Sequence, residues 1–147
     1  MVVVRQATVG DLNAMLELLH VLFAIETDFV FDSNKQQEGL TRLLQSSGIC
    51  VLVAEQERQV VGMCTAQLLV STAEGGLKAI IEDVAVGKEW RRQGIGAKLL
   101  AAIEQWALKQ GAKRLDLLAD KSNTPALGFY RQLGWGQTEL VALQKKL

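Results

Sequence analysis

A strand, a glycine-punctuated turn and a helix follow one another between Ala79 and Gln110, and this stretch limits the possible folds most. Its first eight residues, AIIEDVAV, are mostly β-branched or small and predict a strand. A polar break and two glycines, Gly94 and Gly96, come next, directly before a long amphipathic segment. Glycine lets the main chain approach a ligand, and the first amides of a helix have no intrahelical partner. The stretch therefore predicts a backbone site for an anion, and we expect a pyrophosphate there.

Four segments carry the apolar repeat of a helix or the residues that begin and end one. The first follows Thr8 and Asp11, which resemble a capping box with Asp in place of the usual Glu. The predicted helices run from Leu12 to about Glu26, from Gln36 to Gln45, from behind Gly94 to Gly111, and from Pro125 to Gly134.

Apolar runs separated by turn residues predict the strands, and the runs in the middle of the chain are rich in β-branched residues. They are Val2 to Arg5, Ile49 to Glu55, Val60 to Val70, Lys78 to Val86 and Leu115 to Ala119, with one or two closing strands in Trp135 to Leu147. The middle three form a meander. The run from Leu115 is reached by a helical crossover, which favours parallel pairing with Lys78 to Val86. The sequence thus predicts an α/β (α+β) fold, in which about four helices flank a mixed twisted sheet of about six to seven strands.

The composition indicates one globular domain over residues 1–147. Hydrophobic residues make up 49% and charged residues 22%, and sixteen basic residues balance sixteen acidic ones, which argues against a dedicated nucleic-acid binder. Neither a signal peptide nor a membrane-spanning segment is indicated. Cys50 and Cys64 lie in apolar runs and indicate core residues of a reduced, cytoplasmic protein without a metal site.

Two motifs restrict the function. Taken alone, Arg91-x-x-Gly94-x-Gly96 also fits a tight turn with exposed arginines. A dinucleotide-binding fold requires its glycines after the first strand, and a P-loop requires Gly-Lys-Ser/Thr, so neither class fits. A second motif, Asn123-Thr-Pro-Ala-Leu-Gly-Phe-Tyr-Arg-Gln-Leu-Gly-Trp, follows the next strand. Together the two segments resemble the acyl-CoA binding core of the GNAT superfamily of N-acyltransferases, with Trp135 in place of the family's final aromatic residue.

The resemblance implies a single-domain GNAT fold with acetyl-CoA as the acyl donor and no metal. It implies that amides around Gln93 to Ala97 bind the pyrophosphate and that the backbone of the preceding strand binds the pantetheine arm. Asn123 would contact that arm or order the nearby loop. The arginines Arg91 and Arg92 would contact phosphates or remain solvated. The donor-binding residues are then Val84, Ala85, Val86, Arg91, Arg92, Gln93, Gly94, Ile95, Gly96, Ala97, Asn123 and Tyr130.

Acetyl transfer to an amine needs a base for the ammonium proton and a proton donor for the thiolate. Tyr130 matches the family tyrosine near the thioester sulfur. Glu82 is the favoured base because a carboxylate inside an apolar strand is costly unless it faces a wet cleft or a partner, and desolvation would raise its pKa. The run Ile81-Glu82-Asp83 also resembles diamine and polyamine acetyltransferases. Strand alternation sends the two carboxylates to opposite faces, which leaves Asp83 as the reserve base or an acceptor contact.

The acceptor pocket of the family is built by the first two helices and their loops, which corresponds to about Phe23 to Lys35. Its acidic residues would attract a cationic amine, and its phenylalanines would line the aliphatic part. These residues are Glu26, Asp28, Phe29, Phe31 and Asp32. We expect direct transfer, without a covalent acyl-enzyme, to a small primary amine such as a polyamine or an amino-acid-like compound. A protein N-terminus or lysine as acceptor, a non-catalytic acyl-CoA sensor, and a homodimer remain open.

Overall fold

The computed structural model describes residues 1–26 and 28–147, which divide into two compact units, Met1–Leu117 and Leu118–Leu147. Within the predicted acceptor segment, about Phe23 to Lys35, Thr27 thus lies outside the described part. In the first unit, five strands and three helices are described. They are β1 (Val3–Gln6), α1 (Leu12–Ile25), α2 (Ser33–Gln45), β2 (Ile49–Gln56), β3 (Gln59–Ser71), β4 (Gly76–Val86), α3 (Ile95–Lys109) and β5 (Ala112–Leu117). Short 3-10 turns cover Val9–Asp11 and Lys88–Trp90.

The sheet has the order β1-β2-β3-β4-β5, antiparallel except for the parallel pair β4 and β5. The predicted meander and the parallel crossover strand are therefore confirmed, as is the α/β class. The sheet has five strands within the described residues, against the predicted six to seven.

Helices cover both faces of this sheet. On one face, α1 and α2 bury a cluster of apolar side chains against β2, β3 and β4, among them Met15, Leu40, Val53 and Met63. The helix α3 lies on the other face. Its Ile95 and Leu99 side chains come so close to the Gly62 backbone that a Cβ added to this glycine would lie 3.2 Å from each of them. Neighbouring residues of a strand face opposite sides of the sheet. Met63 therefore faces α1 and α2, and the adjacent Gly62 faces α3.

Local signals explain several helix boundaries. The Asp11 carboxylate accepts a hydrogen bond of 2.8 Å from the Thr8 amide, as the capping-box prediction requires. The second helix begins three residues earlier than predicted because the Asp32 side chain caps it, accepting from the Asn34 and Lys35 amides. Gly111 has a φ of 83° directly behind α3, which is the left-handed conformation that ends helices at glycine.

The second unit contains α4 (Thr124–Gln132), followed by Gly134 with a φ of 92°. The Trp135 amide donates to the Tyr130 carbonyl at 3.0 Å, which closes this helix end as in a Schellman motif. The predicted closing strands are wrong, since the described residues 135–147 form no strand. Leu140, Val141 and Leu143 are at least 80% exposed. A segment becomes a strand only when a neighbouring strand pairs with its backbone, and no described strand pairs with residues 135–147.

Candidate active site

The exposed edge of β4 is the first part of the site. The parallel ladder with β5 ends at the pair Ile81 and Leu117, so the residues 82–86 have no described strand partner on that edge. Val86 pairs with Gly62, and the neighbouring Gly87 amide donates to Val61 at 2.9 Å. In an antiparallel ladder this alternation turns the N–H and C=O of Val86, and those of Val84, away from β3. The predicted pantetheine-binding segment therefore presents backbone groups on an edge that β5 does not cover.

A bulge in β4 lies just before this edge. Thr65 pairs with Glu82 and Met63 with Ala85, so two residues of β4 face one residue of β3. Asp83, inside the bulge, has a φ of 55°, in the left-handed region that asparagine and aspartate tolerate better than other non-glycine residues. The bulge interrupts the alternation on which the prediction of opposite faces for Glu82 and Asp83 depended. The Thr65 hydroxyl, which is 1% exposed, donates to the Glu82 carbonyl at 3.1 Å and lies 3.4 Å from the Asp83 carboxylate.

The two adjacent carboxylates have different environments. Glu82 is exposed, so the desolvation predicted for it is not found at this residue. Asp83 is half-buried, and burial raises its pKa to about 6, with a further contribution from the Glu82 charge. None of the ion pairs within the described residues involves either carboxylate. The environment expected of a general base is thus found at Asp83.

The predicted anion site, residues 91–97, is here called the cradle. Gly94 has a φ of 78° and immediately precedes α3, and a Cβ placed on it would meet no atom within 4 Å. The first intrahelical bond joins the Lys98 amide to the Gly94 carbonyl at 3.1 Å, which leaves the Ile95, Gly96 and Ala97 amides without intrahelical acceptors. Such unpaired amides beside open space suit the pyrophosphate of acetyl-CoA.

The arginines of the cradle differ in their contacts. Both side chains are exposed, and Arg92 has a φ of 61°. The Arg91 Nε donates to the Val86 carbonyl at 3.1 Å, a contact that the sequence alone does not predict. The Gln93 side chain lies 3.4 Å from the Glu89 carbonyl, which ties the cradle to the preceding turn. No local sequence signal distinguishes the Arg91 contact from an ordinary solvated arginine.

Asn123 and Tyr130 belong to the second unit. The Asn123 side chain accepts from the Ala126 amide at 3.3 Å and so caps α4, and its contact with the pantetheine arm stays a prediction. The half-buried Tyr130 ring lies 5.3 Å from the Phe129 ring and 6.1 Å from the Trp135 ring, measured between centroids. These contacts fix the orientation of the phenol within its helix.

The predicted acceptor residues lie at the end of α1 and before α2. Asp28 is exposed, Phe29 is 42% exposed, and Glu26 is half-buried. The Phe29 ring packs at 5.5 Å from Phe23, and Phe31 stacks on His20 at 4.5 Å. The aromatic rings are thus partly used in packing, whereas Asp32 is used as a helix cap.

Cys50 and Cys64 are free and buried. Burial raises the pKa of Cys50 to about 11 and raises that of Cys64 further, so both are thiols at neutral pH. The thiolate is the nucleophilic form, and neither residue therefore suits a covalent acyl-enzyme. In the described parts, residues 1–26 and 28–147, no group of three or more His, Cys, Asp or Glu side chains could hold a metal ion. No described helix is long and apolar enough to cross a membrane.

Comparison with known proteins gives consistent matches. The Acetyltransferase (GNAT) family matches residues 13–135. A thialysine N-epsilon-acetyltransferase of Bos taurus is 31% identical over 144 residues, which cover 90% of this chain and 83% of the relative. An aminoglycoside N(6')-acetyltransferase type 1 of Stenotrophomonas maltophilia is 27% identical over 142 residues, covering 94% and 88%. Among solved structures, the aminoglycoside acetyltransferase meta-AAC0020 from an uncultured soil metagenomic sample, in complex with trehalose, has 29% identity and a TM-score of 0.80, covering 99% and 96%.

Proposed function

This chain belongs to the GNAT acetyltransferase family and is an acetyl-CoA-dependent N-acetyltransferase, and we propose that its acceptor is the primary amine of a small molecule, a polyamine or an amino-acid-like compound. The relatives compared above are named for an amino-acid analogue and for aminoglycosides, all of which carry amines. The exposed carboxylates of Asp28 and Glu82 would attract a cationic acceptor. The free, buried thiols are typical of a reducing compartment, which supports a cytoplasmic location.

The observation that carries the mechanism is the half-buried Asp83 carboxylate on the β4 bulge. With a pKa of about 6, this carboxylate is ionised at neutral pH and still basic enough to take a proton from the ammonium group. The amine nitrogen then attacks the thioester carbonyl carbon, forming the C–N bond. Breaking of the C–S bond releases the CoA thiolate, and the GNAT motif match supports the Tyr130 phenol as its proton donor. The phenolate recovers a proton from solvent, the acetylated nitrogen gives up its second proton to solvent, and Asp83 returns its own proton to solvent. Glu82, which the sequence favours as base, then acts as an acceptor contact.

Donor binding is tested by thermal unfolding with acetyl-CoA, using ATP and NAD as controls. A ligand at about 100 times its Kd stabilises the folded state by about 2.7 kcal/mol, which is about 5–10 °C for a domain of this size. Gly94→Ala should abolish this shift because the new methyl group enters the cradle. Gly75→Ala is the matched control: Gly75 has a similar φ of 66° and equally open space, but lies in the β3–β4 turn.

Acceptor class is tested by following release of the CoA thiol with diamines, polyamines, lysine-like amino acids, aminoglycosides and a peptide with a free N-terminus. Turnover restricted to small amines supports the proposal. Turnover only with the peptide would replace it by protein acetylation. A thermal shift without turnover on any amine would instead favour an acyl-CoA sensor.

A further inference from the structure

The contact between Arg91 and Val86 lies where the edge of β4 meets the cradle. Val86 is the last residue of β4, and its carbonyl points away from β3. The Arg91 Nε donates to this carbonyl at 3.1 Å, across the 3-10 turn Lys88–Trp90. Arg91 therefore joins the first residue of the cradle to the last residue of the strand.

Backbone hydrogen bonds already stabilise the turn between Val86 and Arg91 at two other positions. The Gly87 amide donates to Val61 of β3 at 2.9 Å, and the Trp90 amide donates back to the Gly87 carbonyl at 2.9 Å. A Cβ on Gly87 would come within 3.3 Å of the Trp90 ring, so the turn is tightly packed. The Arg91 side chain adds the remaining connection, from the exit of the turn to the exposed edge of β4. The spacing between edge and cradle consequently depends on this side chain.

We propose that Arg91 is a positioning residue that sets the distance between the pantetheine-binding edge and the pyrophosphate cradle, rather than a phosphate ligand. The inference rests on the proposed donor site. Because the Arg91 Nε takes up one of the two acceptor sites of the Val86 carbonyl, pairing of the donor arm with the Val86 N–H and with the groups of Val84 is favoured. This pairing holds the pantetheine arm in one register along the edge of β4. It therefore fixes how deep in the active site the thioester at the end of the arm lies.

The neighbouring arginine provides the comparison. Arg92 is equally charged and exposed, but among the described residues the side-chain bond to the edge of β4 comes from Arg91 and not from Arg92. Arg92 therefore attracts the donor phosphates at long range, whereas Arg91 sets the spacing between the edge of β4 and the cradle. The two roles respond differently to salt and to the phosphates of the donor, because ionic attraction is screened and a hydrogen bond between protein groups is not.

The experiment compares Arg91→Met and Arg92→Met with two donors, acetyl-CoA and acetyl-pantetheine, which lacks every phosphate. Loss of one hydrogen bond to a backbone carbonyl predicts that Arg91→Met raises the KM of both donors by about five- to tenfold, with a smaller change in kcat. This increase should be the same at 50 and 500 mM salt. Arg92→Met should raise only the KM of acetyl-CoA, and high salt should remove the difference from wild type.

Arg91→Gln is the rescue variant, because its amide can donate to the same carbonyl without a charge. Recovery of most of the donor affinity by Arg91→Gln supports positioning, and it also decides the matter if Arg91→Met fails to fold. A penalty for Arg91→Met that disappears with acetyl-pantetheine or at high salt would overturn the proposal in favour of phosphate binding. An unchanged KM in Arg91→Met would overturn it as well. If wild-type protein uses neither donor, it is the proposed function that fails.

Discussion

Two aspartates of the first unit, Asp11 and Asp83, have opposite electrostatic environments. Asp11 is 7% exposed and accepts hydrogen bonds from both terminal nitrogens of Arg5, at 2.8 and 2.9 Å, and from the Thr8 amide. The Arg5 guanidinium, assisted by Thr8 and opposed by burial, holds the pKa of Asp11 below its usual range. Within the described part of the chain, the Asp83 side chain has one long contact, with the Thr65 hydroxyl. It lies beside Glu82, and burial raises its pKa to about 6.

The difference separates a stabilising carboxylate from a reactive one. Asp11 is ionised and satisfied, and Arg5 also binds Glu55 at 2.6 Å, so the group joins β1, β2 and the start of α1. Asp83 is a partly desolvated charge on a bulge with a left-handed backbone, and both features are unfavourable for folding. Perturbed acids of this kind concentrate at functional sites. Exchanging each carboxylate for an amide should therefore have opposite consequences.

The largest expected effect is on turnover by Asp83→Asn. Asparagine tolerates the left-handed backbone and keeps an oxygen for Thr65, so the geometry is retained while the base is lost. We expect kcat to fall by about 10²- to 10⁴-fold, the usual contribution of a general base. In wild-type protein, kcat/KM should rise with pH through about 6 as the carboxylate loses its proton, and the variant should lack that rise.

Glu82→Gln is the matched control, since it changes the adjacent carboxylate and leaves Asp83 in place. Its expected effect is less than tenfold in kcat, with a higher KM for a cationic acceptor. The reverse result, with a large loss in Glu82→Gln and a small one in Asp83→Asn, would make Glu82 the base, as the sequence motif favours.

The sequence contains the signals for most of the fold, but it does not show which of Glu82 and Asp83 is the partly buried carboxylate. Helix ends are visible at Gly111 and Gly134 and in the Thr8 and Asp11 pair because they depend on residues a few positions apart. The bulge depends on how β3 pairs with β4, between Met63 and Thr65, and nothing in the run IIEDVAV records that register. The choice between Glu82 and Asp83 therefore could not be predicted from alternation. The predicted closing strands were wrong for a similar reason, since β-propensity does not specify a partner.

A smaller effect is expected from Asp11→Asn, which removes the ion pair but keeps an acceptor for the Thr8 amide. Because Arg5 is partly exposed and retains Glu55, we expect the free energy of unfolding to fall by about 2 kcal/mol at pH 7. The pKa of Asp11 is lowered on folding, so its contribution is present above the unfolded value of 3.8 and is lost as the pH falls through the folded value. Urea unfolding at several pH values measures this, and a loss that persists unchanged at pH 2 would contradict the ionic explanation.

The smallest expected effect has the opposite sign. Asp83→Asn should raise the free energy of unfolding by on the order of 1 kcal/mol at pH 7, after allowance for the half-buried position and the neighbouring Glu82. The pKa of Asp83 is raised on folding, so ionisation destabilises the folded state fully above about pH 6 and not at all below the unfolded value of 3.8. The advantage of the variant should accordingly shrink from pH 7 to pH 4, whereas the deficit of Asp11→Asn should still be present at pH 4.5. If Asp83→Asn is less stable than wild type at pH 7, its carboxylate stabilises the fold, and the contrast with Asp11 is lost.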